Sequence, residues 1–113
     1  MHCPLVPPFP AVPMPAPLFL ITLRYLQPLE EVERHLEAHR AYLRQGSAQG
    51  VFLASGRLEP RTGGVILARA ADRAAVDTLV AQDPFHRERI AAYTIQEWWP
   101  SMTAEGLEPL RVL

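Results

Sequence analysis

Two pieces of this chain could move a proton together. One is His39, inside the amphipathic stretch Leu29 to Arg44; the other is Asp83, in the run Asp83-Pro84-Phe85. At about 100° per residue, Leu29, Val32, Leu36 and Leu43 form an apolar stripe, and His39 lies roughly 55° from its centre. That is a lip position, partly desolvated and still reachable, where an imidazole can serve as general acid or base. The alternative is a histidine that only packs its ring and bonds a backbone carbonyl. Asp83 also has two readings. An aspartate followed by proline is a good helix N-cap with proline at N1. The same carboxylate could orient His39 and stabilise its charged form, and its several lone pairs permit both tasks.

Other residues could shape a binding site. Ser55 ends an apolar run and can donate to a ligand or satisfy the turn. Phe85 reads first as core and second as a platform for substrate. Tyr25 and Tyr42 are candidate pocket residues. His35 and His39 are four apart, a spacing that can bind metal, but two ligands are not a site and no HExxH or cysteine pair supports one. We therefore expect no metal and no cofactor. His86 reads as exposed. Gly63-Gly64 is a turn without the pattern of a phosphate loop.

The elements that must position these groups follow from periodicity. Leu18 to Leu26 reads as a strand, with Phe19, Ile21, Leu23 and Tyr25 on one face and Leu20, Thr22, Arg24 and Leu26 on the other. Pro28 suits the start of a helix. Glu30, Glu33, Arg34, Glu37, Arg40 and Arg44 read as its solvent side, and Gly46 as its end. Val51 to Ser55 and Gly64 to Arg69 read as strands two and three. Asp72 can cap a second helix carrying Ala75, Val76, Leu79 and Val80. A short turn, His86 to Ile90, leads to a fourth strand, Ala92 to Trp99. The order β-α-β-β-α-β predicts an α+β, ferredoxin-like sandwich: a four-stranded antiparallel sheet with two helices on one face. Both faces of the sheet carry apolar bulk, and the adjacent Trp98 and Trp99 must point to opposite sides. An uncovered apolar face marks an interface, so we expect a homodimer with sheets packed face to face; cover by the proline-rich arm or the C-terminal tail is the alternative.

At 113 residues the chain makes one small domain, read as residues 18–100, flanked by an arm at 1–17 and a tail at 101–113. The charge is nearly balanced, 11 basic against 12 acidic residues, which excludes a broad basic field for nucleic acid or an anionic membrane. Every basic residue is arginine, which reads as composition bias. The lone Cys3 allows no internal disulfide and fits a reducing cytoplasm. The arm holds seven of the twelve prolines, so it reads as extended and polyproline-like, without the basic start and unbroken apolar centre of a secretory signal. Met14 is an alternative start. No stretch approaches the roughly 20 apolar residues that span a bilayer.

One set of residues resembles a known family. His39 followed by Tyr42-Leu43, then Gly50, the Ser55-Gly56 pair, Gly63-Gly64 and Asp83-Pro84-Phe85 occur in the order found in the YciI-like, or YCII-related, family of dimeric α/β-barrel proteins. The likeness covers roughly Leu18 to Pro100. Members often have proline after the Ser-Gly glycine, where this chain has Arg57; many carry arginine three residues before the histidine, where it has Leu36. Arg57 could add positive charge at a cleft mouth. The resemblance implies a ferredoxin-like dimer with a His/Asp pair in a pocket, proposed to be catalytic. Dehydrochlorination of a chlorinated aromatic is associated with the family.

The expectation is thus a cofactor-free enzyme of elimination, isomerisation or hydrolysis, acting on a small molecule with His39 and Asp83 as the working pair. Ser55, Phe85, Tyr25 and Arg57 would contact the substrate. A non-catalytic ligand-binding module and a purely structural dimer on the same fold are the rivals.

Overall fold

A computed structural model of the chain describes residues 16–113. Cys3, Met14 and nearly all of the proline-rich arm lie outside the described residues. Four strands form one antiparallel sheet: β1 (Leu18–Tyr25), β2 (Phe52–Arg57), β3 (Gly63–Arg69) and β4 (Ala91–Trp98). Their order across the sheet is β2-β3-β1-β4. The helices are α1 (Leu29–Ala48), α2 (Arg73–Ala81) and the single turn α3 (Pro84–Arg87), with a 3-10 turn at Glu108–Leu110 in the tail. This is the expected ferredoxin-like arrangement.

The side-chain alternation of β1 decides which face is covered. Phe19, Ile21 and Leu23 join Ile66 and Ala68 of β3 under Val32 and Tyr42 of α1, and Val76, Leu79 and Val80 of α2. Full burial of each such side chain contributes about 1.5–3 kcal/mol, so this layer dominates stability. Asp72 caps α2 by accepting from Ala75 N at 2.9 Å, as its place in the sequence predicts. On the opposite face, Leu20 lies beside Leu67 and Thr22 beside Val65. The C-terminal tail secures one end of that face: Arg69 Nη2 donates to Pro109 O at 2.5 Å, and Leu18 is fully buried. Leu20, Thr22, Val65 and Leu67 remain partly exposed.

Helix α1 departs from the expected one in two ways. First, it runs through Gly46 and ends at Ala48, with Gln49 as C-cap. The left-handed residue that stops it is Gly50, at φ +73°. Gly46 is required for packing: a Cβ there would stand 2.1 Å from the ring of Phe52, itself buried in the core. Gly46→Ala should therefore destabilise by about 1–3 kcal/mol through overpacking, against the usual gain of nearly 1 kcal/mol for alanine within a helix. Urea unfolding would read the sign directly.

Second, the helix is rotated relative to its apolar stripe. The buried positions are Val32, His39, Tyr42 and Gly46, while Leu29 is exposed. His39 thus sits within the buried face instead of on its lip. The flank carrying Leu36, Leu43, Arg40, Arg44 and Ser47 borders a cleft, with Leu36 and Leu43 half-buried against the edge of the core.

Candidate active site

The sequence brings a histidine and an aspartate together through two local decisions. The long helix α1 carries His39 inward. After α2 the chain turns at Asp83, whose Oδ1 accepts from Phe85 N at 3.0 Å and caps α3, with Pro84 at its first position. That cap fixes the carboxylate beneath His39. His39 Nδ1 lies 2.8 Å from the same Oδ1. Asp83 therefore caps and partners at once, the overlap that its lone pairs allow.

The second oxygen is held by a residue outside the expected set. Tyr93, on β4, donates its hydroxyl to Asp83 Oδ2 at 2.5 Å. A tyrosine in a strand reads as an ordinary strand former. Its only signal was parity: Ala91, Tyr93 and Ile95 share one face of β4. With three donors around it, Asp83 is 1% exposed and fully satisfied.

These bonds fix the chemistry of the imidazole. Asp83 accepts at both oxygens, so Nδ1 of His39 is the donor in this pair, and in the neutral ring the lone pair is on Nε2. Nε2 makes no hydrogen bond among the described residues, and His39 keeps its remaining 8% exposure at the cleft. The ring stacks on Phe85, centroids 3.9 Å apart and planes within 4°. Tyr25 and Phe85 meet edge-to-face, centroids 6.1 Å apart and planes at 88°. His39 is thus oriented by one hydrogen bond and one aromatic face.

The cleft itself holds about 470 Å³, a volume suited to a small organic molecule. His39, Tyr25, Ser55, Arg57 and Phe85 all line it, together with Leu23, Leu36 and Ile66. Phe85 is buried as a core residue would be, yet its exposed sliver contributes to the floor. Tyr42 is not in the lining, which corrects the expectation for it: it packs on Phe52, and its hydroxyl donates to Leu79 O. Arg40 and Arg44, read as solvent-facing, border the cleft. His86 is exposed and meets Tyr93 edge-on at 5.4 Å.

Burial first, and then the negative charge of Asp83, push the Tyr93 hydroxyl far above the ordinary phenol range. The same two causes, in the same order, raise Tyr42. Both stay protonated in the folded state where an unfolded tyrosine, near 10, has ionised. The unfolded chain then holds fewer protons, so stability falls as pH rises above about 10, by up to about 1.4 kcal/mol per pH unit for each group. Tyr93→Phe should cost about 1.5–3 kcal/mol near neutrality, the worth of a hydrogen bond to a charged group, and should flatten the alkaline slope by one group. Urea melts at several pH values measure both.

No helix among the described residues is long and apolar enough to cross a membrane. No curated protein matches the chain. Among solved structures it is similar to 5-chloro-2-hydroxyhydroquinone dehydrochlorinase from Burkholderia phenoliruptrix AC1100, in complex with 2,5-dihydroxybenzoquinone. The TM-score is 0.65 and the identity 24%, over 74% of this chain and 94% of that one, a likeness of fold. The model of the YCII-related domain matches residues 18–99, and so takes in all four strands, His39 and Asp83. The chain belongs to the family of YCII-related domain proteins.

Proposed function

We propose that the protein is a cofactor-free enzyme that transfers a proton to and from a small cyclic or aromatic molecule in the cleft beside α1. The observation that supports this reading is the 2.8 Å contact between Asp83 Oδ1 and Nδ1 of His39, a residue that lines the cleft, which would make Nε2 the reactive atom. In the proposed reaction Nε2 removes a proton from substrate carbon or oxygen, and the imidazolium is balanced by Asp83. The proton then returns to a leaving group, which makes an elimination, or to another atom of the same molecule, which makes an isomerisation. Ser55, Tyr25 and Arg57 would position polar groups of the substrate, and Phe85 its ring. The dehydrochlorinase of similar fold supports elimination as the first reaction to test.

The working unit in this proposal is a homodimer. The apolar row Leu20, Leu67 and Val65 on the open face would pack against its copy, which would remove it from water. A cytoplasmic setting fits the lone Cys3. The proposal is tested by incubating the purified full chain with halogenated and hydroxylated cyclic compounds and following product by mass spectrometry. Turnover by the wild type that disappears in a His39 variant is the expected result. Turnover indifferent to His39, or binding without product across the panel, would overturn it. Sedimentation should give twice the chain mass; a monomer would remove the dimer.

A further inference from the structure

The lining of the cleft is charged in a way that the rest of the chain is not. Arg40, Arg44, Arg57 and Arg61 border it, and no aspartate or glutamate does. Across the whole chain acidic residues outnumber basic ones by 12 to 11. Four cations and no anion line the cleft, while the glutamates that pair with three of them stand outside it; low-dielectric walls concentrate the field of the cations that face inward.

Arg40 is free to engage a ligand, and the other three arginines are held by pairs at the rim. Arg61 Nη1 meets Glu33 at 3.3 Å and its side chain also bonds Tyr25 within the cleft, Arg44 Nη2 meets Glu37 at 3.1 Å, and Arg57 Nη2 meets Glu59 at 3.8 Å. All three glutamates are exposed and lie outside the lining. Such surface pairs are weak and screened by salt, so an incoming anion can displace them. Arg40 follows His39 directly and makes no side-chain hydrogen bond or ion pair among the described residues. Beneath this rim, Leu23, Leu36, Leu43, Ile66 and Phe85 give an apolar floor.

We propose that the substrate is a small organic anion: a carboxylate, or an ionised enol or phenol, carried on an apolar ring. Its ring lies over the floor and its charge meets Arg40, with Arg44, Arg57 and Arg61 around it. A guanidinium fork suits paired oxygens and remains charged at any pH the protein meets. The same cations stabilise the further negative charge that develops as His39 withdraws a proton, so they serve the transition state as well as recognition. This inference rests on the reading of the cleft as a proton-transfer site and specifies what enters it.

The test is an NMR titration of the full chain with benzoate and 2-hydroxybenzoate against their neutral amides, benzamide and 2-hydroxybenzamide. The acids should shift backbone amides around His39 and Arg40 and bind at least about tenfold tighter than the amides. That preference should shrink as salt is raised from about 0.05 to about 0.5 M. It should weaken in Arg40→Gln, an exposed site where folding is not at risk, and weaken further in the Arg40→Gln/Arg44→Gln double variant, both sites being exposed, with the spectrum away from the cleft unchanged. Amides that bind as tightly as acids, or acids that shift nothing in the cleft at about 10 mM, would overturn it. The two readings fail separately. Salt-sensitive binding of acids that are never turned over supports the anion site and ends the proton-transfer reading. His39-dependent turnover of neutral compounds, with no preference for acids, does the reverse.

Discussion

Changing His39 to glutamine is expected to lower turnover by about 10²- to 10⁴-fold, the usual contribution of a general acid–base group, while the fold persists. Glutamine is the informative replacement. Its amide can still donate to Asp83 Oδ1, so the buried carboxylate keeps a partner where His39 Nδ1 now stands at 2.8 Å. It cannot carry a proton from one atom of the substrate to another. Alanine would confound two effects, since it also removes the ring that stacks on Phe85 at 3.9 Å. In the glutamine variant, affinity for a bound acid should change far less than the rate, because most of the cleft rim and floor comes from other residues. If turnover falls and the urea midpoint falls as steeply, His39 is a packing residue and the catalytic account is wrong.

Asp83→Ala is expected to have the largest effect on stability. It strips the acceptor from three donors at once: His39 Nδ1, Phe85 N and Tyr93 Oη. Each group left unpaired inside the protein costs about 1–3 kcal/mol. Breaking a buried charge-bearing pair typically costs about 3–5 kcal/mol in total. For a domain of this size that is a large part of the about 5–15 kcal/mol available, and it should lower the melting temperature by more than about 10 °C. Asp83→Asn separates the two roles of the residue. Its Oδ1 can still cap α3 and accept from His39, so most of the stability should return. Its neutral amide cannot balance an imidazolium, so the rate should remain low. Calorimetry of both variants beside their turnover distinguishes capping from catalysis; equal stability losses in the two would contradict the assignment of three separate hydrogen bonds.

Much of this arrangement was legible in the residues. Alternation in Leu18 to Tyr25 grouped Phe19, Ile21 and Leu23 on one face, and the helices cover that face. The Asp72 and Asp83 caps followed from residue type and position, since an N-cap is a local event. Asp83 as partner of His39 was one of two open readings, because a cap and an ion pair require the same carboxylate. What escaped were contacts made only in three dimensions. Tyr93 looks like any strand tyrosine until β4 pairs with β1 and brings its hydroxyl to Asp83. Gly46 reads as a helix stop, because nothing in its neighbourhood announces the ring of Phe52. Arg40 and Arg44 fall on the polar side of the α1 stripe, yet periodicity gives only the stripe and not the rotation of the helix against the sheet. That rotation opens the cleft on the arginine flank and draws His39 inward.

Proton transfer by His39 depends on which of its ring nitrogens is free. Nitrogen-15 NMR of the imidazole in the full chain measures this directly. The account predicts a neutral ring protonated at Nδ1, with its proton shared toward Asp83, and an unprotonated Nε2 whose resonance moves when an aromatic acid enters the cleft. A neutral ring protonated at Nε2, with the resonance unmoved by ligand, would contradict it.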